Sequence, residues 1–191
     1  MGLARVLIVE DDAFSRSLIE GVLTAASFEV AASPGASSAM AQVKAFDPNC
    51  ALLDIDLGIG PTGVDVAHAL RELKPNLGIV FLTSYLDYRL SKAGELKLPP
   101  GARYLTKSAI GNTSKLTSTL MSACVSPLGK STSSIVRLPL SQHQIQIMRL
   151  VANGFTNSEI ARQVQTSEKA VEHVLSRILQ KLGIIKDPKL N

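Results

Sequence analysis

The chain has 191 residues, a formal net charge of +4 and two cysteines, with a pI near 9.2. That length holds one medium or two small domains, each able to bury a core. No apolar run reaches the roughly 20 residues of a membrane span, and the amino terminus passes into a strand-like segment without a cleavage-site pattern. Cys50 and Cys124 lack both metal-ligand spacing and a disulfide framework. A soluble, cytoplasmic protein with no membrane partner is expected.

The charge is unevenly spread: residues 1–126 hold 11 basic against 12 acidic side chains, and residues 127–191 hold 9 against 4. The basic excess is therefore C-terminal, which suits a near-neutral domain joined to one that meets a polyanion.

Residues 4–9 form a near-continuous apolar run of strand length that ends at Glu10-Asp11-Asp12. Three acids together call for a positive neighbour, and Mg²⁺ suits hard carboxylate oxygens; Asp12 is placed to cap the next helix. Phe14, Leu18, Val22 and Leu23 recur at helical spacing over residues 13–26. A second strand covers 28–32, and Ser33-Pro34 reads as a cap followed by the first residue of a helix running to Phe46. Asp47-Pro48 breaks that helix. The apolar run Cys50-Ala51-Leu52-Leu53 then delivers Asp54, with Asp56 two residues on. A third helix spans 64–73, a strand 78–83 ends in Thr83 and Ser84, and Gly94 with Pro99-Pro100 leaves room over 85–100 for only a short or irregular helix. A last strand over 102–106 ends at Lys107, and a helix near 112–123 closes the half. This β-α alternation implies an α/β fold, a doubly wound five-stranded parallel sheet with helices on both faces.

In such a sheet the strand ends share one rim. Glu10 and Asp11, Asp54, Thr83 and Lys107 are then the parts needed to hold Mg²⁺ and a phosphoryl group on a carboxylate: Asp54 attacks, Thr83 donates to a phosphoryl oxygen and Lys107 pairs with it. Two decoys lie nearby. Gly58, Gly60 and Gly63 spell G-x-G-x-x-G, but Asp54 and Asp56 would repel a pyrophosphate and Pro61 removes a donor. Gly129-Lys130-Ser131-Thr132 resembles the end of a P-loop, yet Cys124 stands where its first glycine belongs and no strand leads in.

Through VLIVEDD, ALLD, Thr83 and Lys107, residues 4–123 resemble the receiver domain of two-component response regulators. The resemblance implies Glu10 and Asp11 as the acidic pair, Asp54 as phosphoacceptor, Asp56 as a backbone-carbonyl ligand to the metal, and Thr83 and Tyr104 as switch residues beside Lys107. The chain departs from the family pattern at Glu10, where Asp is usual, at Ser108, where Pro is frequent, and at Gly63, one position farther from Asp54 than expected.

Residues 124–139, rich in Ser, Thr, Gly and Pro, read as a flexible tether. Three short helices follow: about 141–152 with Ser141 as cap and Gly154 as stop, one opening at Thr156 or Asn157, and one from Ser167 to about Leu182. A tight link between the last two, in a basic segment, suggests a helix-turn-helix. LVANGFTNSEIARQVQTSEKAVEHVLSRILQKLGI, within residues 138–185, resembles the LuxR-type, or NarL/FixJ-type, DNA-binding domain. That resemblance places the helix from Ser167 in the major groove, with Lys169, Arg177 and Lys181 as phosphate contacts and Glu172, His173 and Ser176 toward base edges. Glu172 stands where Lys is common, Ala170 where Thr is usual, and Gln144 and Gln146 replace frequent acids, so DNA affinity per monomer is expected to be modest. Residues 184–191 are expected to be too few and too Pro-broken to form the fourth helix that the resemblance implies.

The expected division is a receiver over 1–123, a linker over 124–139 and a small all-α helix-turn-helix domain over 140–191. The expected function is a transcriptional regulator, not an enzyme beyond phosphorylating and dephosphorylating itself. It takes a phosphoryl group from a sensor histidine kinase with Mg²⁺, forms a homodimer when phosphorylated, and binds double-stranded promoter DNA. Two alternatives stand: an Asp-nucleophile phosphatase in which Asp56 is general acid to Asp54, and a receiver that binds DNA regardless of phosphorylation.

Overall fold

A computed structural model of the chain describes residues 3–84, 87–90, 97–129, 138, 140–182 and 184, with Tyr88 described by its backbone alone. Five apolar segments form one sheet: β1 (Arg5–Val9), β2 (Glu29–Ser33), β3 (Cys50–Asp54), β4 (Gly78–Thr83) and β5 (Arg103–Thr106). Their order is β2-β1-β3-β4-β5 and every pairing is parallel. Each residue of β3 and β4 is buried, as it must be in a sheet covered on both faces, which is why these strands read as unbroken apolar runs.

Side chains alternate between the two faces. Leu7, Val9, Ala51, Leu53, Ile79 and Phe81 pack under α2 (Ala36–Phe46) and α3 (Gly63–Leu73). Val6, Ile8, Leu52, Val80 and Leu82 pack under α1 (Ala13–Ala25) and α4 (Thr113–Val125). Each fully buried aliphatic side chain is worth about 1.5–3 kcal/mol, so this two-sided core fixes the sheet and, with it, the rim.

The helix starts follow local chemistry. Asp12 caps α1 by accepting from Ser15 N at 2.7 Å, and Thr62 and Asp65 form a reciprocal capping box at α3. The start of α2 differs from the expected Ser33-Pro34. Ser33 stays in β2, opposite Val9, and its carbonyl accepts from Glu10 N at 3.1 Å. Strand pairing therefore claims it, and the helix begins at Ala36 after Gly35, without a side-chain cap. Between β4 and β5 the described residues hold a 3-10 turn at Tyr88–Leu90; residues 85–86 and 91–96 of the expected irregular stretch lie outside the described residues.

The last receiver helix runs two residues beyond the expected 123, to Val125, so the start of the expected tether is helical. A turn follows, in which Gly129 N donates to Ser126 O at 3.1 Å; residues 130–137 and 139 of the tether lie outside the described residues. The C-terminal half contains α5 (Gln142–Ala152), α6 (Asn157–Gln163) and α7 (Glu168–Lys181). Ser141–Gln144 and Thr156–Glu159 capping boxes open the first two, and Ser167 caps the third. Gly154, at φ +82°, lets the chain turn after α5. Ile147, Ile160, Ala161 and Val171 form the core of the three helices. The segment expected to lack a fourth helix falls, but for Ile184, outside the described residues.

Gly63 is the first residue of α3, and a Cβ on it would lie 1.8 Å from Asp54 O. Only a glycine lets α3 start against the end of β3. Gly63→Ala is expected to cost roughly 1–3 kcal/mol, the usual range for overpacking, read as a lower urea midpoint at unchanged slope; an unmoved midpoint would mean that α3 can back away from the strand freely.

Candidate functional site

The topology brings the expected rim residues together. Glu10 and Asp11 follow β1, Asp54 ends β3, Thr83 ends β4, and Lys107 follows β5. Lys107 Nζ lies 2.9 Å from Glu10 Oε1 and 2.8 Å from Oε2, and 2.9 Å from Asp54 Oδ2. One ammonium thus bridges two carboxylates that are only 1% and 7% exposed. Asp11 is exposed beside them, and a ligand oxygen from each of Glu10, Asp11 and Asp54 lies within 4.8 Å of the others.

Burial dominates the electrostatics. It raises the Glu10 and Asp54 pKa values, against the opposing hydrogen bond each makes with Lys107. Burial alone would lower Lys107, but its hydrogen bonds to Glu10 and Asp54 outweigh it and the ammonium is raised. The acids are held by backbone as well: Asp56 N–H donates to Asp54 Oδ1 at 3.3 Å. Arg16, which sequence reasoning missed, donates through Nη1 to the carbonyls of Glu10 at 2.7 Å and Asp11 at 3.1 Å. It reads in sequence as an ordinary surface residue of an amphipathic helix, so no pattern could have marked it. Asp11 has a glycine opposite: a Cβ on Gly58, which has φ +70°, would lie 2.9 Å from Asp11 Oδ2.

Asp56 Oδ1 is buried without a hydrogen-bond partner, and the buried Glu10 Oε2 meets only the Lys107 ammonium. Glu10 and Asp54, buried and sharing one ammonium, with the exposed Asp11 beside them, form a donor set that fits a hard divalent cation. Thr83 is buried and hydrogen-bonded to the Tyr104 hydroxyl, whose pKa is pushed up first by burial and then by Asp87.

Asp87 leads to the other half of the chain. It is fully buried, and Arg89 grips it through Nε at 3.0 Å to both carboxylate oxygens and Nη2 at 2.6 Å to Oδ2. Arg89 also donates to Leu138 O at 2.8 Å and Leu140 O at 3.1 Å, while Leu138 N donates back to Asp87 Oδ2 at 2.9 Å. Leu90 packs with Leu138, Leu140, Ile145 and Ile178. Burial would raise Asp87, but the hydrogen bonds from Arg89 and Leu138 prevail and its carboxyl lies below the usual range. Sequence reasoning missed this pair, because nothing in Tyr85-Leu86-Asp87-Tyr88-Arg89 has periodicity.

On α7, Lys169, Glu172, His173, Arg177 and Lys181 are exposed and Ser176 is half-buried. Lys181 differs from the other basic residues, because its Nζ donates to Gln144 Oε1 on α5 at 3.0 Å.

A 2-1-3-4-5 parallel sheet with an acid cluster and an ammonium at its carboxyl rim, followed by a compact three-helix unit, defines a receiver joined to a DNA-binding module. Residues 6–110 match the response regulator receiver domain and residues 138–190 match the luxR family of bacterial regulatory proteins; the chain belongs to the NarL/FixJ-type response regulators, a family of DNA-binding transcription regulators. It is similar to the oxygen regulatory protein NreC of Staphylococcus aureus, with 26% identity over 97% of this chain and 94% of the relative. Against NreC of Staphylococcus carnosus the identity is 27%, over 78% and 76%. The fold resembles that of the response regulator RcsB in complex with DNA, at TM-score 0.59 and 20% identity over 97% of this chain and 95% of that one. For RcsB of Salmonella typhimurium the TM-score is 0.55, at 20% identity over 98% and 94%.

The raised carboxyls give a pH prediction. An acid whose folded pKa lies above its unfolded value favours folding when protonated, and that contribution is lost as pH rises through the folded value. At neutral pH without divalent cations, Asp54→Asn is therefore expected to raise the unfolding temperature, with the gain shrinking as pH falls toward the carboxylate range. A variant less stable than the wild type at neutral pH would show that Lys107 outweighs burial.

Proposed function

We propose that the protein is a phosphorylation-controlled transcriptional regulator of the cytoplasm, with a receiver over residues 1–123, a linker over 124–139 and a DNA-binding domain over 140–191. The observation that carries this reading is the convergence of Glu10, Asp11 and Asp54 ligand oxygens on one point, with Lys107 against Asp54. Glu10, Asp11, Asp54 and the Asp56 carbonyl would hold Mg²⁺, which when bound offsets the charge of the acids and of an incoming phosphoryl group. A carboxylate oxygen of Asp54 attacks the phosphorus of a phosphohistidine on a sensor kinase, and the P–N bond breaks as the acyl phosphate forms. Lys107 exchanges its partner on Asp54 for a phosphoryl oxygen, and Thr83 turns its hydroxyl to donate to another.

That turn takes the Thr83 hydroxyl from Tyr104, which lies close enough to Asp87 to be shifted by its charge. The route to the DNA-binding half then runs through Asp87 and Arg89 to the main chain of Leu138 and Leu140. Release of this grip frees the helix-turn-helix to pair with a second copy on two half-sites of promoter DNA. Lys169 and Arg177 contact phosphates there, while Glu172, His173 and Ser176 face base edges; Lys181 does so only after leaving Gln144.

The decisive measurement is labelling by a small-molecule phosphodonor with and without a divalent chelator. The wild type is expected to take one phosphoryl group only with Mg²⁺, and Asp54→Asn none. Equal labelling of both would overturn the assignment, and repeated turnover of a phosphomonoester would favour a phosphatase with Asp56 as acid.

Two further outcomes concern DNA. Arg89→Ala is expected to bind promoter DNA more tightly than wild type without a phosphodonor, at fixed salt; unchanged affinity would mean the grip does not restrain the domain. Glu172→Lys is expected to raise affinity and steepen the salt dependence by roughly one unit of log–log slope, checked by anisotropy titrations at several salt concentrations.

A further inference from the structure

Cys50 and Cys124 are the only cysteines of the chain, and the fold brings them together. Cys50 is the first residue of β3 and fully buried; Cys124 is in the last turn of α4 and half-buried. Both belong to the same apolar cluster, with Cys124 packed against its buried members and each thiol shifting the other's pKa. The approach depends on Gly78, paired with Cys50 across β3 and β4. A Cβ on Gly78 would lie 2.9 Å from Cys50 Cβ and 2.5 Å from Ala123 O, so this glycine is what admits the last turn of α4 to the sheet.

The charge around the pair is unusual. Arg103 is 1% exposed, and its guanidinium donates to Gly101 O at 3.2 Å, Ser122 O at 2.8 Å, Ser122 Oγ at 3.1 Å and Ser126 O at 3.0 Å. Among the described residues it pairs with no carboxylate. A buried cation without an anionic partner is costly, and the two thiols lie close enough to feel its charge. Arg103 also covers the carbonyls at the end of α4, which offsets the negative helix end that would otherwise disfavour a thiolate. The hydrogen bond from Cys50 lowers the Cys124 thiol, and Arg103 lowers it further against the effect of burial; Cys50, as donor and buried, is raised.

We propose that Cys50 and Cys124 form an oxidisable dithiol in which Cys124 reacts with a peroxide and Cys50 closes the disulfide. The Cys124 thiolate attacks one peroxide oxygen, the O–O bond breaks, and hydroxide leaves as sulfenic acid forms. Cys50 sulfur then attacks the Cys124 sulfur, the S–O bond breaks, and the sulfenic oxygen leaves as water with the Cys50 proton. The two thiols have lost two electrons to the peroxide. The bond ties the root of the strand that carries Asp54 to the end of the helix from which the chain leaves the receiver. In a reducing compartment such a bond is transient and regulatory.

The test uses the full chain, reduced, exposed to hydrogen peroxide and quenched with catalase. Expected are loss of both alkylatable thiols, a Cys50–Cys124 peptide pair within one chain, reversal by dithiothreitol, and an unfolding temperature several degrees higher from closure of a long loop. Cys50→Ser should stop at a sulfenic acid on Cys124 that dimedone traps, and Cys124→Ser should leave Cys50 unreacted. Thiols that remain alkylatable in the wild type, a disulfide formed only between two chains, or over-oxidation of Cys124 in place of a disulfide would each overturn the proposal. None of these readings involves phosphotransfer.

Discussion

Two carboxylates that are almost wholly shielded from water share one ammonium at the end of a parallel sheet, and much of the molecule is arranged to make that tolerable. Lys107 alone cannot neutralise Glu10 and Asp54 together, and Asp11 adds a third negative charge beside them. The deficit is held by a rigid surround: Arg16 on the carbonyls of the acidic pair, the Asp56 amide on Asp54, and α3 started against Asp54 by a glycine. A rim that is under-compensated at rest has a standing preference for added positive charge.

The sheet was legible because its strands are buried on both faces. Runs such as Cys50–Asp54 and Gly78–Thr83 carry no competing helical periodicity, and each ends in a chemically distinct residue, so the strands and the rim could be inferred together. The helix starts with polar caps were readable for the same local reason, as at Asp12, Ser141 and Thr156. Ser33 misled because its side chain suits a cap while its backbone is needed by β1, and pairing between strands far apart in sequence overrides a local preference.

What sequence could not show were contacts made by side chains to distant main chain. Arg89 and Arg103 work this way, with guanidinium groups on carbonyl oxygens, and Arg16 does the same over a shorter reach. A carbonyl has no residue identity, so nothing in the partner's sequence marks it. Lys181 shows the reverse case: its place on the basic face of α7 suggested a phosphate contact, and its partner on α5 emerges only when the helices pack. Lys169, Glu172, His173 and Arg177, by contrast, stand on the outward face of α7 as the heptad-like spacing of its inward residues requires.

The junction between the halves has an asymmetry worth following. The receiver supplies two specific side chains, Asp87 and Arg89, whereas the C-terminal half answers those two with an amide and two carbonyls. These two side chains therefore read the path of the incoming backbone, while residue type enters the joint through the apolar side chains around Leu90 and through Arg149, whose Nε donates to Arg89 O. Substitutions can accumulate at positions 138 and 140 without breaking this joint, provided each stays apolar and neither becomes a proline at 138, which would remove the amide. A segment that enters along the same course with apolar residues at these two positions offers Arg89 the same oxygens.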